Sequence, residues 1–261
     1  MTNRFSNRIT GCLLAAVSHM ALAAIPGSGV PQIEAKAKLA VAAVTPQSPA
    51  MSPNALIPCT NDNSNPGVLP PCSTLYGQTY TDWSVRWWQW YLPLTVVPDG
   101  ADCGNNQRGP VWFLASSFLP TVTCTVPAAK ALFFPIADVE CSNKDMDPGF
   151  RRNTEDARRE CAKNWADGIQ GLEADIDGVT VQNPTRYRFQ SPEFVVTVPK
   201  GNIGGLYPGS AKSVADGYYL LLFPLSAGPH KIHVTGTFTK DGFGNPFGPF
   251  TLDTTFVLTM Q

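Results

Sequence analysis

Three strand-length runs, PVWFLAS (110–116), KALFFPI (130–136) and GYYLLLFPL (217–225), are apolar at both odd and even positions. Side chains alternate between the two faces of a strand, so such a run needs cover on both faces. A single sheet with one wet side is thereby excluded, and a central sheet between two further layers is required. Other runs alternate. In FTLDTTFVLTM (250–260), Phe250, Leu252, Phe256, Leu258 and Met260 share one parity, and Thr251, Asp253, Thr255 and Thr259 share the other. KIHVTGTFT (231–239) sets Ile232, Val234 and Phe238 against Lys231, His233, Thr235 and Thr237, and PEFVVTV (192–198) adds another strand. These read as half-buried strands. Asp177-Gly178 separates EADI from VTV. A type I′ turn needs two residues tolerant of positive φ, so a hairpin is expected there. Short strands divided by turns drawn from 22 Gly and 24 Pro specify a mainly β chain, an antiparallel β-sandwich or jelly-roll.

Two covering α-helices are available. TEDARRECAKNWADGI (154–169) has Asn153 or Thr154 as cap and Glu155 and Asp156 in its first turn, with Ala157, Cys161, Trp165 and Ile169 recurring every fourth position. The other, YTDWSVRWWQWY (80–91), holds four of the chain's 6 tryptophans. On a helical wheel Tyr80, Trp83, Trp87, Trp90 and Tyr91 fall within roughly 100° of arc. Trp88 and Leu92 flank that stripe, Asp82, Arg86 and Gln89 lie opposite, and Pro93 stops the helix. Such a stripe is either core or a platform for a flat ligand, and the two-sided sheet favours core. Trp88, at the margin and away from the pole that Arg86 and Gln89 occupy, is the ring expected to remain partly open, and Trp88, Arg86 and Gln89 are the candidate binding residues.

Residues 1–23 read as a signal peptide: Arg4 and Arg8 precede a short apolar run that ends at Ala21-Leu22-Ala23. The run is shorter than the ~20 residues that span a bilayer, so no membrane span is expected. Residues 24–58, rich in Ala and Pro and almost without aromatics, read as a linker, and 59–261 as one domain. Beyond Cys12 the chain carries Cys59, Cys72, Cys103, Cys124, Cys141 and Cys161. An even set in an exported chain points to three disulfides, with sequential pairing the simplest of about fifteen connectivities. No C-x-x-C pair and no nearby histidine makes a metal centre of them. The expected location is periplasmic or extracellular.

A net charge of −1 offers no basic stripe, which excludes a nucleic-acid partner. No G-x-S-x-G elbow accompanies His230 or His233, and residues three apart in a strand face opposite ways, which suits zinc poorly. Glu173-Ala-Asp175-Ile-Asp177-Gly178 imitates the start of a calcium loop, but Pro184 stands where the closing acid belongs. No cofactor fingerprint is present. The surviving catalytic candidates are Asp138 and Glu140, at the end of the KALFFPI run, with His230. Paired carboxylates act as acid and base on glycosidic bonds, whereas most loop acids merely solubilise.

GQTYTDWSVRWWQW (77–90), GPVWFLA (109–115), CTVPAAKALFFPI (124–136) and ADGYYLLLFPLSAGPHKIHVTG (215–236) together resemble a family of uncharacterised secreted bacterial proteins. Ala129 stands where the VPA-x-K segment of that family is expected to carry glycine. The resemblance implies export and one domain, and brings no activity or site. Three functions remain: a non-catalytic module that binds a glycan or another ligand, a carboxylate-dependent glycan hydrolase or lyase, and a structural or adhesive partner of the cell envelope.

Overall fold

The computed structural model describes residues 59–116, 118–148 and 150–261; the expected signal peptide and linker lie outside them. A short hairpin, β1 (Thr74–Leu75) and β2 (Gln78–Thr79), leads into α1 (Tyr80–Tyr91). The central sheet runs β3 (Val111–Phe113), β5 (Ala131–Ser142), β10 (Gly209–Leu222) and β8 (Arg188–Gln190), and β9 (Phe194–Val198) also pairs with β10. The second sheet runs β4 (Thr121–Val126), β12 (Pro246–Met260), β11 (Gly228–Lys240), β6 (Ile169–Ile176) and β7 (Val179–Thr180). Both sheets are antiparallel except at one edge each, where β3 lies parallel to β5 and β4 parallel to β12. The expected Asp177-Gly178 turn joins β6 to β7 with φ of 53° and 82°.

The double cover demanded by the two-sided runs is present. On one face of the central sheet Phe134 meets Phe256 of the second sheet, with ring centroids 5.9 Å apart. The sheets approach closely where Gly236 opposes Ala137: a Cβ at 236 would lie 2.8 Å from that of Ala137. On the other face sit Phe133 and Tyr219, stacked at 5.5 Å, beneath α1. Thr79 caps α1 through a reciprocal box with Asp82. Tyr80, Trp83, Trp87, Trp88 and Trp90 are all buried beneath it. Each indole N–H of α1 has an acceptor, as buried indoles usually do: Trp87 Nε1 donates to the Leu114 carbonyl at 2.8 Å and Trp90 Nε1 to that of Asn105 at 2.9 Å.

The second helix, α2 (Glu155–Ala166), is capped by Thr154, whose hydroxyl accepts the Ala157 N–H. It packs on β5 and β10 where the second sheet ends, with Trp165 edge-on to Phe238 and Phe247. It stops at Ala166, so Ile169, expected on its apolar stripe, opens β6 instead. Gly168 makes the break: a Cβ there would lie 2.7 Å from the Lys240 backbone. Disulfides join Cys59–Cys72, Cys103–Cys124 and Cys141–Cys161, the sequential pairing. No helix among the described residues is long and apolar enough to cross a membrane.

Candidate functional site

The three residues expected to bind a ligand do not share a surface. Trp88 is only 7% exposed, and its Nε1 donates to the Tyr219 hydroxyl at 3.0 Å. Its expected partial exposure is corrected: β10 and the flanking strands curve round α1 and cover more than the central stripe. Arg86 is exposed, bonded to Gln78 and lying 5.4 Å over the Trp83 ring. Gln89, also exposed, ties α1 to the Val195 carbonyl at 3.0 Å.

Asp138 and Glu140 are not at a strand end, because β5 continues to Ser142 against β10. Both lie on the α1 face, opposite Gly217 and Ala215. Gly217 is required there, since a Cβ would fall 2.4 Å from that of Asp138. Each residue keeps some surface at the solvent boundary, yet Asp138 Oδ2 and Glu140 Oε1 are sealed and make no hydrogen bond. Those sealed oxygens govern the charge. Burial pushes Asp138 up to about 8, against the opposing hydrogen bond from Tyr219. Burial likewise pushes Glu140 up to about 8, opposed by the Ser213 hydroxyl and Arg158 and assisted by Asp145. Raised carboxyls are what a general acid needs, but Asp138 faces Tyr219 beneath the tryptophan helix, Glu140 faces Ser213 and Arg158, and neither lines an open cleft among the described residues.

His230 heads a different cluster. Its Nδ1 lies 2.6 Å from Asp177 Oδ2, while Nε2 lies 2.9 Å from the Ser226 carbonyl and 3.3 Å from Ser226 Oγ. The connectivity is that of a Ser-His-Asp triad, but the hydrogen placement is not. With an acceptor on each nitrogen, the favoured form is the imidazolium, which has no lone pair to take a hydroxyl proton. Partial burial pulls the pKa of His230 down, but the Asp177 hydrogen bond, the Ser226 carbonyl and the Asp177 charge outweigh it and raise it. The cluster is a clamp that fastens the β10–β11 connection to the β6–β7 turn. Asp177 Oδ1 completes it by accepting the Lys231 N–H at 2.8 Å.

Beside that clamp, on the outer face of the second sheet, an open recess of about 440 Å³ is lined by Glu173, Ala174, Asp175, Gly178, Thr180, Lys231 and His233. Its residues stand in rows across the strands. Asp177 flanks Lys231, then His233 pairs with Asp175 and Asp175 with Thr180, then Thr235 pairs with Glu173. His233 Nε2 lies 2.9 Å from Asp253 Oδ1, and Asp175 Oδ1 accepts the Gly178 N–H at 2.8 Å. The site thus offers carboxylates, an ammonium, an imidazole and a hydroxyl on one rigid face. Alternation assigns Lys231 and His233 to the polar side of a strand, and places Glu173 and Asp175 in the first arm of a hairpin that imitates a calcium loop, without joining the two pairs into one site. The signal that unites them is the shared polar parity of two strands flanking one hairpin.

No family model and no curated protein matches the chain. Among solved structures it aligns with a cysteine protease inhibitor from Entamoeba histolytica at 11% identity, covering 54% of this chain and 86% of that one, with a TM-score of 0.16. It also aligns with the solution structure of Amebosin at 12% identity, covering 59% and 100% respectively, with a TM-score of 0.18. Scores this low carry no argument about fold or function.

Proposed function

We propose that this disulfide-bonded β-domain is an exported, non-catalytic glycan-binding module. The observation that carries the reading is the open polar recess over β6, β7 and β11. Sugar hydroxyls both donate and accept, and a face that mixes carboxylates, an ammonium, an imidazole and a hydroxyl offers both kinds of partner at strand-pair spacing. Three disulfides support residence in an oxidising compartment. The raised carboxyls and the histidine clamp lie outside the recess, which favours binding over turnover. Calorimetric titration of the purified protein against a panel of oligosaccharides, with chromatography of the products, tests the reading. Binding without product formation is expected, weakened by Asp175→Ala and Glu173→Ala. Release of shortened products would replace it with the hydrolase alternative.

A further inference from the structure

The charges on the outer face of the second sheet are not all spent on one another. His233 is matched to Asp253 and His230 to Asp177. Among the described residues, neither the Lys231 ammonium nor the Glu173 carboxylate makes an ion pair, and Asp175 spends one oxygen on the Gly178 N–H. Lys231 stands at one end of the recess and Glu173 at the other, two rows apart on adjacent strands. Four residues of strand separate those rows, about 13 Å, too far for the two side chains to neutralise each other. The strands beneath them are fixed by the Asp177 clamp, so the separation is a property of the fold. We propose that the recess takes an amphoteric glycan, one bearing both free amines and carboxylates, in a single direction: carboxylate toward Lys231, amine toward Glu173 and Asp175. This rests on the glycan-binding reading above and names the class of glycan.

The reason is desolvation. A neutral sugar chain laid along the recess would take water from an ammonium and two carboxylates and return only neutral hydrogen bonds. A chain with amine and carboxylate at matching spacing returns a charge-assisted hydrogen bond at each end. Reversed, the same chain would set like charges together at both ends, which fixes its direction.

The test titrates the intact protein with four tetrasaccharides of equal length. One is built of N-acetylglucosamine, one of glucosamine, one of galacturonic acid, and one alternates free glucosamine with glucuronic acid. The alternating chain should bind tightest, by about two- to fivefold over either singly charged chain, as expected for one exposed charged contact. Lys231→Gln should lower its affinity to that of the glucosamine chain, and Glu173→Gln to that of the galacturonic acid chain. Lys231→Arg should retain it. Equal binding of the neutral and alternating chains, or unchanged affinity in both glutamine variants, overturns the amphoteric assignment and leaves the glycan reading standing. Binding of none of the four overturns both.

Discussion

Asp138 and Glu140 hold protons in the folded chain that they have given up in the unfolded chain at neutral pH. Their carboxyls titrate near 8 when folded and at ordinary carboxylate values when unfolded. Between about pH 4 and pH 8 the folded state therefore binds more protons, and stability falls as pH rises through that window. Asp138→Asn and Glu140→Gln keep the shape and remove the titration. Each should raise the melting temperature at pH 8, leave it nearly unchanged at pH 4, and flatten the pH profile. His230 titrates with the opposite charge bookkeeping. Its folded pKa is raised above the unfolded value, so its contribution is complete below about pH 6.5 and is lost as pH rises through the folded value. His230→Gln should lower the melting temperature at pH 5.5 and change it little at pH 9. A variant equally destabilised at both values would mean that the clamp acts by packing, without its charge.

The Trp-rich helix makes its own case at the scale of the element. Trp83, Trp87 and Trp88 are buried alike, so each change to Ala should cost about 3–5 kcal/mol through lost transfer energy and a residual cavity. Trp88→Ala also strips a donor from the buried Tyr219 hydroxyl, whereas Arg86→Ala should stay within about 0.5 kcal/mol. Urea unfolding of the four variants checks the order. The existence of α1, its direction and its stop at Pro93 are legible in its period of apolar residues. The width of its buried face is not, because that depends on how far β8, β9 and β10 wrap around it. The two-sided runs declare the central sheet for a simple reason: hydrophobic residues at both parities have nowhere else to go. The continuation of β5 through Asp138 and Glu140 is illegible for the converse reason. Acids ordinarily mark the end of a buried strand, and pairing with β10 together with the packing of α2, tied on through Cys141–Cys161, carries this strand onward. The recess is half legible. Alternation places Lys231, His233 and Glu173 on a wet face, but its concavity arises from the β6–β7 turn and its clamp, which join residues about fifty positions apart.

At the scale of the whole molecule, three disulfides close short loops with sequence separations of 13, 21 and 20 residues, tying the described N-terminal segment, the β4 edge and α2 to their neighbours. Thiol labelling of the denatured, unreduced protein should modify none of these six cysteines, and reduction should cost roughly 2–4 kcal/mol per bridge. The β4 edge has a further guard, because Asp99 Oδ1 accepts both the Thr123 N–H at 2.6 Å and the Thr123 hydroxyl at 3.0 Å. The segment carrying Asp99 leads into Cys103 and is bound to β4 through Cys124. A carboxylate therefore sits where the carbonyl of an intruding strand would dock. The opposite edge, β7, is two residues long and offers little template. The β4 edge, so guarded, is expected to resist pairing with copies of itself at high concentration. Asp99→Ala should reverse that: the fold survives, but light scattering of concentrated samples rises with time, as β4 becomes a seed for intermolecular growth.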